Sequence, residues 1–197
     1  MSDLLQHALQ IVENNIHERQ SVGALQLPAP SSEQVHQAIA AAITAPDHHR
    51  LHPWRFAVVQ DEQRQQLGQV MHDCLAADGE QDLATLQKVL QHPLRAPMLI
   101  IATMKYQAHE KVPRDEQILS CGAAIQNLLL ILQAQGFASI WRSGAITQSK
   151  HFKQWLGLAE QDEITGMIYV GTAKKDIADR EPLSVNDFIF TPNFNSI

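Results

Sequence analysis

The fifteen residues from Ile118 to Leu132 include eleven apolar side chains, and wound at helical spacing they leave no polar face. A helix of that kind cannot rest on a surface. It must be enclosed in the core or covered by a second subunit, and Gly136 supplies its stop. Just upstream, Pro97 introduces Met98 to Met104, a largely apolar, isoleucine-rich run that reads as a strand buried on both faces. An enclosed strand beside an enclosed helix requires a layered core with helices packed on a sheet.

The other elements arrange themselves around that pair. Leu4, Leu5, Ala8, Leu9 and Val12 follow helical spacing with Asp3 as the cap, and the pattern fades at Asn14 and Asn15, where the first helix is expected to end. After Pro28 and Pro30, Ser31 and Gln34 form a capping box ahead of Val35, Ala38, Ile39, Ala42 and Ile43. Arg55 to Gln60 reads as a strand. Asp61 is placed to cap a helix carrying Leu67, Val70, Met71, Cys74 and Leu75, and Gly79 divides it from a shorter one with Leu83, Leu86 and Leu90. Beyond the central helix come a short strand at Ser139 to Trp141, a helix capped by Ser149 and bearing Phe152, Trp155 and Leu156, and a second buried strand at Ile164 to Thr172. The tail, with Phe188, Phe190 and Phe194, has neither period. With no repeat or low-complexity linker, residues 1–197 are expected to form one domain with a C-terminal tail from about residue 180.

Charge and cysteine usage narrow the partners. The formal charge is −6, and no Lys/Arg tract exceeds the pair Lys174 and Lys175, which argues against nucleic acid or an anionic membrane as the main partner. Small molecules and other proteins are left. Cys74 and Cys121 have neither CxxC nor CxxH spacing, so a reducing cytoplasm is the expected compartment. Neither a signal-like N-terminus nor an uninterrupted apolar run of about 18 residues is present, and a soluble protein is expected.

Three segments carry candidate chemistry. In Ala45 to Phe56, APDHHRLHPWRF, Pro46 and Pro53 hold His48, His49, Arg50 and His52 on irregular backbone. Imidazoles four apart on a helix can share a metal ion, but the prolines break that register and no HExxH glutamate accompanies them, so no metal ligand is assigned. Solvated loop histidines are the plainer reading. A third reading, in which the loop's donors hold an anionic, aromatic ligand, fits the residue types best. Arg19, Gln20 and Ser21 follow the first helix with a fixed cation, an amide and a hydroxyl suited to phosphate, though such a trio is ordinarily just solvated. Trp141, Arg142, Ser143 and Gly144 form a second cation and hydroxyl turn, whose plain reading is a core tryptophan beside a surface arginine. GxGxxG, GxxxxGK[ST] and GxSxG are all absent, and both cysteines fall on apolar helical faces where packing is their usual role.

Taken in order, Arg19-Gln20-Ser21, Ala45-Pro46 through Pro53-Trp54-Arg55-Phe56, and Gln135-Gly136-Phe137 through Trp141-Arg142-Ser143-Gly144 resemble the nitroreductase family, in particular its small bacterial NAD(P)H nitroreductases. Those also show the stretch matching Lys111-Val112-Pro113-Arg114, and the likeness runs from about residue 4 to about 175. The resemblance implies an α+β fold with a central, mainly antiparallel sheet wrapped by helices, assembled as a homodimer with two FMN sites at the subunit interface. It implies that Arg19, Gln20 and Ser21 hold the FMN phosphate and ribityl end, that Trp141, Arg142 and Ser143 contact the flavin, and that Thr44 and His48 reach in from the partner subunit. Ile131, Leu132, Gln133, Ala134, Gln135 and Gly136 are implied to lie near the nicotinamide nucleotide. The chain departs from the wider family at Gln20, where a second arginine is common, at Gly23, where another basic residue is frequent, and at Arg50 and His52, which occupy usual Asn and Gln positions.

The implied activity is FMN-dependent hydride transfer from NADH or NADPH to a nitroaromatic, quinone or similar acceptor. The chemistry sits on the flavin, so no catalytic side chain is expected. The departures leave a second reading, a flavin-binding carrier or sensor without turnover.

Overall fold

The strand expected at Met98 to Met104 lies inside a five-stranded sheet, with all seven of its residues buried. A computed structural model describes residues 3–178 and 180–194. In chain order the elements are α1 (Asp3–Glu18), β1 (Leu25–Gln26), α2 (Ser32–Ala42), β2 (Trp54–Gln60), α3 (Gln63–Ala77), α4 (Leu83–Leu90), β3 (Met98–Met104), α5 (Arg114–Ala134), β4 (Ala138–Arg142), α6 (Ala145–Gln148), α7 (Lys150–Trp155) and β5 (Glu163–Ala173). Short 3-10 turns occupy His48–Arg50, Pro93–Arg95 and Val185–Phe188. The sheet order is β1-β5-β3-β2, β4 also pairs with β5, and all four strand pairings are antiparallel.

Strand alternation explains why β3 is apolar throughout. Met98, Ile100, Ala102 and Met104 join a cluster with Val35 and Ala38 of α2 and Ile125 and Leu128 of α5. Leu99 and Ile101 turn the other way, toward Leu67 and Met71 of α3, Val89 of α4 and Phe152 of α7. Helices therefore cover both faces of the sheet, the α+β arrangement expected from the sequence. Truncating any of these fully buried large side chains to alanine costs on the order of 2–5 kcal/mol.

Local signals hold where they are self-contained. Ser31 and Gln34 make both bonds of the capping box, and the Ser149 side chain accepts from the Phe152 amide. Two expectations are corrected. α1 continues past Asn14 and Asn15 to Glu18, because the Asn15 side chain donates to the Leu130 carbonyl at 3.0 Å and its own carbonyl accepts from Gln133 at 2.9 Å. Asp61 is not a cap. It takes φ 50°, and α3 starts at Gln63 with Glu62 as its N-cap, which makes no side-chain cap bond.

The central helix is enclosed on one side only. Eight α5 residues are buried, from Gln117 to Leu132, whereas Leu119 is 71% exposed. An 18-residue window of α5 has mean hydropathy 1.4, the length and composition of a bilayer-crossing helix, yet its buried side packs on α2 and the sheet as a core helix. α1 has no buried residue, and Leu4, Leu9, Val12 and Ile16 display an apolar stripe to solvent.

Candidate functional site

Past Glu18 the chain leaves α1 and runs beside β4. Ser21 bridges Ser139 in parallel, and the Val22 amide donates to the Ser139 carbonyl at 2.9 Å. This lays Arg19, Gln20 and Ser21 along the start of a sheet strand, as fixed backbone can present them. Gln20 Nε2 donates to the Ala178 carbonyl at 2.7 Å, and an Arg180 guanidinium nitrogen donates to the Arg19 carbonyl. The tail after β5 is thereby folded back onto the Arg19 segment. Burial, and then the neighbouring Arg180, depress the Arg19 pKa. Two arginines share one locality beside a cavity of about 1110 Å³ lined by Gln20, Gly136, Ser139, Lys174, Lys175 and Arg180. Arg180 was not among the sequence-derived candidates; 161 positions separate it from Arg19, and no local pattern joins them.

The far end of β4 carries the second segment. Trp141 is 40% exposed, its indole N–H donates to the Thr165 carbonyl at 3.1 Å, and it lies flat on Gly166, where a Cβ would fall 1.8 Å from the indole nitrogen. That close approach is made by a bulge, since Ala102 pairs with Gly166 but Thr103 pairs with Ile164, leaving Thr165 unopposed. Arg142 points the other way. Its guanidinium sits 5.7 Å from the Tyr169 ring centroid, and Nη2 lies 2.9 Å from where a Gly23 Cβ would stand. Arg142 thus occupies the space over Gly23 that a side chain there would fill. Arg142 Nε is buried and has no hydrogen-bond partner, while Ser143 is exposed beside it.

The histidine loop lies elsewhere. His48 Nδ1 is 2.7 Å from Glu116 Oε2 at the start of α5, and the His48, His49 and His109 rings follow one another at 4.8 and 4.6 Å. His49, Arg50 and His52 all have positive φ, at 59°, 55° and 49°. Each costs on the order of 1–3 kcal/mol and persists only where surroundings enforce it. Here the nearly buried Asp47 accepts the His52 amide at 2.5 Å, Gln107 Nε2 donates to the Leu51 carbonyl, and Arg55 donates to the His52 carbonyl at 2.8 Å. Among the described residues no group of three His, Cys, Asp or Glu side chains is placed to hold a metal ion. Thr44 is exposed, with its hydroxyl donating to the Ala41 carbonyl at 2.8 Å.

Within one chain these segments do not converge. The loop is anchored at Glu116 and the Arg19 segment at Gln133, and at 1.5 Å per residue the seventeen steps between them along α5 span about 25 Å. The structure lays Arg19, Gln20 and Ser21 beside the start of β4, puts Trp141 to Ser143 at its far end, and leaves His48 by Glu116 and Thr44 just past α2. Of Ile131 to Gly136, Leu132 is fully buried, Gln133 is bound to Asn15, Gln135 Nε2 donates to the Gln34 carbonyl at 3.1 Å, and Gln133 and Gly136 border the large cavity. Neither thiol is nucleophilic. Burial pushes the Cys121 pKa up to about 12 and raises that of Cys74.

Convergent arginines beside an open cavity, and a buried guanidinium nitrogen with no partner, fit a ligand carrying phosphate and an electron-rich edge. The family model described as the Nitroreductase family matches residues 16–172. The chain belongs to the nitroreductase family. It is 40% identical over 154 residues to "Putative NAD(P)H nitroreductase YdjA" of Escherichia coli K12, covering 78% of this chain and 84% of that one. Among solved structures it is similar to a nitroreductase-like family protein from Bacillus cereus, with TM-score 0.80, 23% identity and coverage of 92% and 95%. It also matches the FMN-dependent nitroreductase NfnB from Mycobacterium smegmatis in complex with NADPH, with TM-score 0.72, 16% identity and coverage of 94% and 100%. The nitroreductase fold thus accounts for the whole sheet and its helical layers.

Proposed function

We propose that this nitroreductase is an FMN-dependent oxidoreductase that uses NADH or NADPH to reduce a nitroaromatic, quinone or similar acceptor. The observation that carries the reading is the close pair Arg19 and Arg180, folded together by the tail beside the start of β4, in a chain of nitroreductase fold. When bound, FMN supplies the redox chemistry by accepting hydride at N5 and passing it to the acceptor.

The protein's part is to bind, orient and polarise. Arg19, with Arg180 added from the tail, holds the phosphate through charge-assisted bonds, and Gln20 and Ser21 serve the ribityl end. Gln20 secures the tail to that segment through Ala178. Arg142 lies over Gly23 with Nε unspent, which suits it to stabilise negative charge on the flavin N1 and O2 edge, and Trp141 and Ser143 bound the ring. Ile131 to Gly136 face the nicotinamide nucleotide through the exposed part of that helix end, Leu132 contributing packing alone.

The working unit is a homodimer. α1 shows an apolar stripe, α5 is uncovered at Leu119, and Phe188, Phe190 and Phe194 of the tail are more than two-thirds exposed. A partner whose α5 runs antiparallel brings its Thr44 and His48 to this chain's Arg19 end, which a single chain holds about 25 Å away. We take residues 1–197 as one domain, with the tail from about 180 packing on the partner, and place it in the cytoplasm, where Cys74 and Cys121 stay reduced.

The test is an absorption spectrum of the protein after loading with FMN and desalting, followed by anaerobic NADH or NADPH. Retained flavin bands that bleach support the oxidoreductase. Retained bands that never bleach leave a flavin carrier, and loss of all flavin on desalting overturns the reading.

A further inference from the structure

A second cavity, of about 340 Å³, lies between α3, α4 and the β4 to α6 turn, and it shares no lining residue with the larger one. Lys88 of α4, His92 and Arg95 of the following turn, and Arg142 of β4 converge on it, with the hydroxyls of Thr85 and Ser143 beside them. None of its lining residues is Asp or Glu. In a chain of formal charge −6 that is an unusual concentration of one sign. Arg114 and Lys153, by contrast, both bind Glu163, at 2.7 and 2.6 Å, and Arg55 and Arg64 donate to backbone carbonyls. Among the described residues no ion pair or side-chain hydrogen bond satisfies Lys88, Arg95 or the Arg142 guanidinium, and both Arg142 Nε and His92 Nε2 are buried without a partner.

Buried donors are ordinarily paired, and like charges brought together repel unless an anion sits between them. Here four basic groups from three segments line one cavity, with two hydroxyls able to complete an oxyanion's coordination. We propose that this pocket is an anion site, separate from the Arg19 and Arg180 pair, that takes the phosphate or carboxylate group of a small molecule whose remainder is directed toward the flavin edge at Arg142 and Ser143. The flavin reading supplies what lies beyond Arg142; the anion rests on the pocket's own side chains. Its consequence is a preference for anionic over neutral donors or acceptors.

Inorganic phosphate is titrated calorimetrically into the FMN-loaded full chain at constant ionic strength set by chloride, with benzoate as a parallel carboxylate probe. Saturable binding of one anion per chain is expected, weakened roughly tenfold or more by Arg95→Gln and by Lys88→Gln, the loss expected for a charge-assisted contact. Flavin content and melting temperature stay at the parental value in both variants, and Lys88 is exposed, so K88Q isolates charge from folding. Tighter phosphate assigns the pocket to a phosphoryl group, and tighter benzoate to a carboxylate; either supports the site. Three results overturn it: no saturable heat with either anion, variants that bind as tightly as the parent, or phosphate that expels FMN, which makes this the cofactor's own phosphate seat. Failure to load FMN is read separately from the absorption spectrum and removes the flavin reading alone, because the same titration of the flavin-free chain still decides the pocket.

Discussion

The two ends of α5 are both rich in basic side chains, and they use them differently. At the Glu116 end His48 has a carboxylate, His49 lies between two tilted imidazoles, and Asp47 holds the His52 amide in a loop with three residues of positive φ. At the Gln133 end Arg19 and Arg180 lie close enough to depress the Arg19 pKa, and farther along β4 Arg142 keeps a buried nitrogen unsatisfied. One end pairs most of its polar groups at the cost of backbone strain, with Asp47 Oδ1 still buried without a partner; the other holds cations that no carboxylate matches. Cations that the fold has already neutralised shape a loop. Those it has left bare are the ones proposed to bind.

The largest effect that would break this contrast is at the bare end. Arg19→Ala is expected to weaken FMN by ten to a hundredfold, the equivalent of about 1.5–3 kcal/mol, with Arg180→Ala in the same range. Fluorescence titration of FMN measures it, and unchanged affinity in both variants removes the pair from the phosphate site. At the neutralised end the expected loss is of stability. Asp47→Ala leaves the His52 amide unmatched in a strained loop and should cost about 1–3 kcal/mol in a urea melt; a cost near zero means the loop relaxes without it.

His48→Ala sharpens the comparison further. The exposed pair with Glu116 is worth at most about 1 kcal/mol, so the melt should barely move. If the loop serves the partner's flavin, mixing His48→Ala and Arg19→Ala subunits should rebuild one intact site per mixed dimer and recover part of the FMN binding that each lacks alone. No recovery on mixing places His48 outside the site.

The smallest effect concerns pH, at a pair outside both regions. Burial works to raise the Glu163 pKa, but hydrogen bonds from Lys153 and Arg114 outweigh it and leave it below the ordinary 4.5. A depressed carboxylate stabilises the fold above its unfolded pKa, and that stability fades as pH falls through the lower folded value. Melts from pH 5 downward should therefore lose less stability in Glu163→Gln than in the parent, about pH 4 and below. Parallel acid limbs would show that the pair is fully solvated.

How much of this could be read from the chain depends on the range of the interaction. The capping box at Ser31, the Ser149 cap, the enclosed β3 and the apolar α5 were legible because each is written in a few consecutive residues and decided by period and local bonding. The order of Arg19 to Ser21, the proline-bracketed loop and Trp141 to Gly144 was equally plain, and it pointed to the family. α1's last turn was not legible, since Asn15 reads as a helix breaker until Leu130 and Gln133 satisfy it. Asp61 had the right chemistry for a cap and the wrong dihedral.

The sequence by itself determined the elements, their amphipathic faces and the family, through propensity and pattern that act over a turn or two. Only the tertiary structure decided which cations meet. It set Arg180 against Arg19 across 161 positions, filled the space over Gly23 with Arg142, and gathered Lys88, His92 and Arg95 around the same guanidinium. Charges carry no periodicity, and whether one is neutralised or left bare depends on neighbours that only the closed fold supplies.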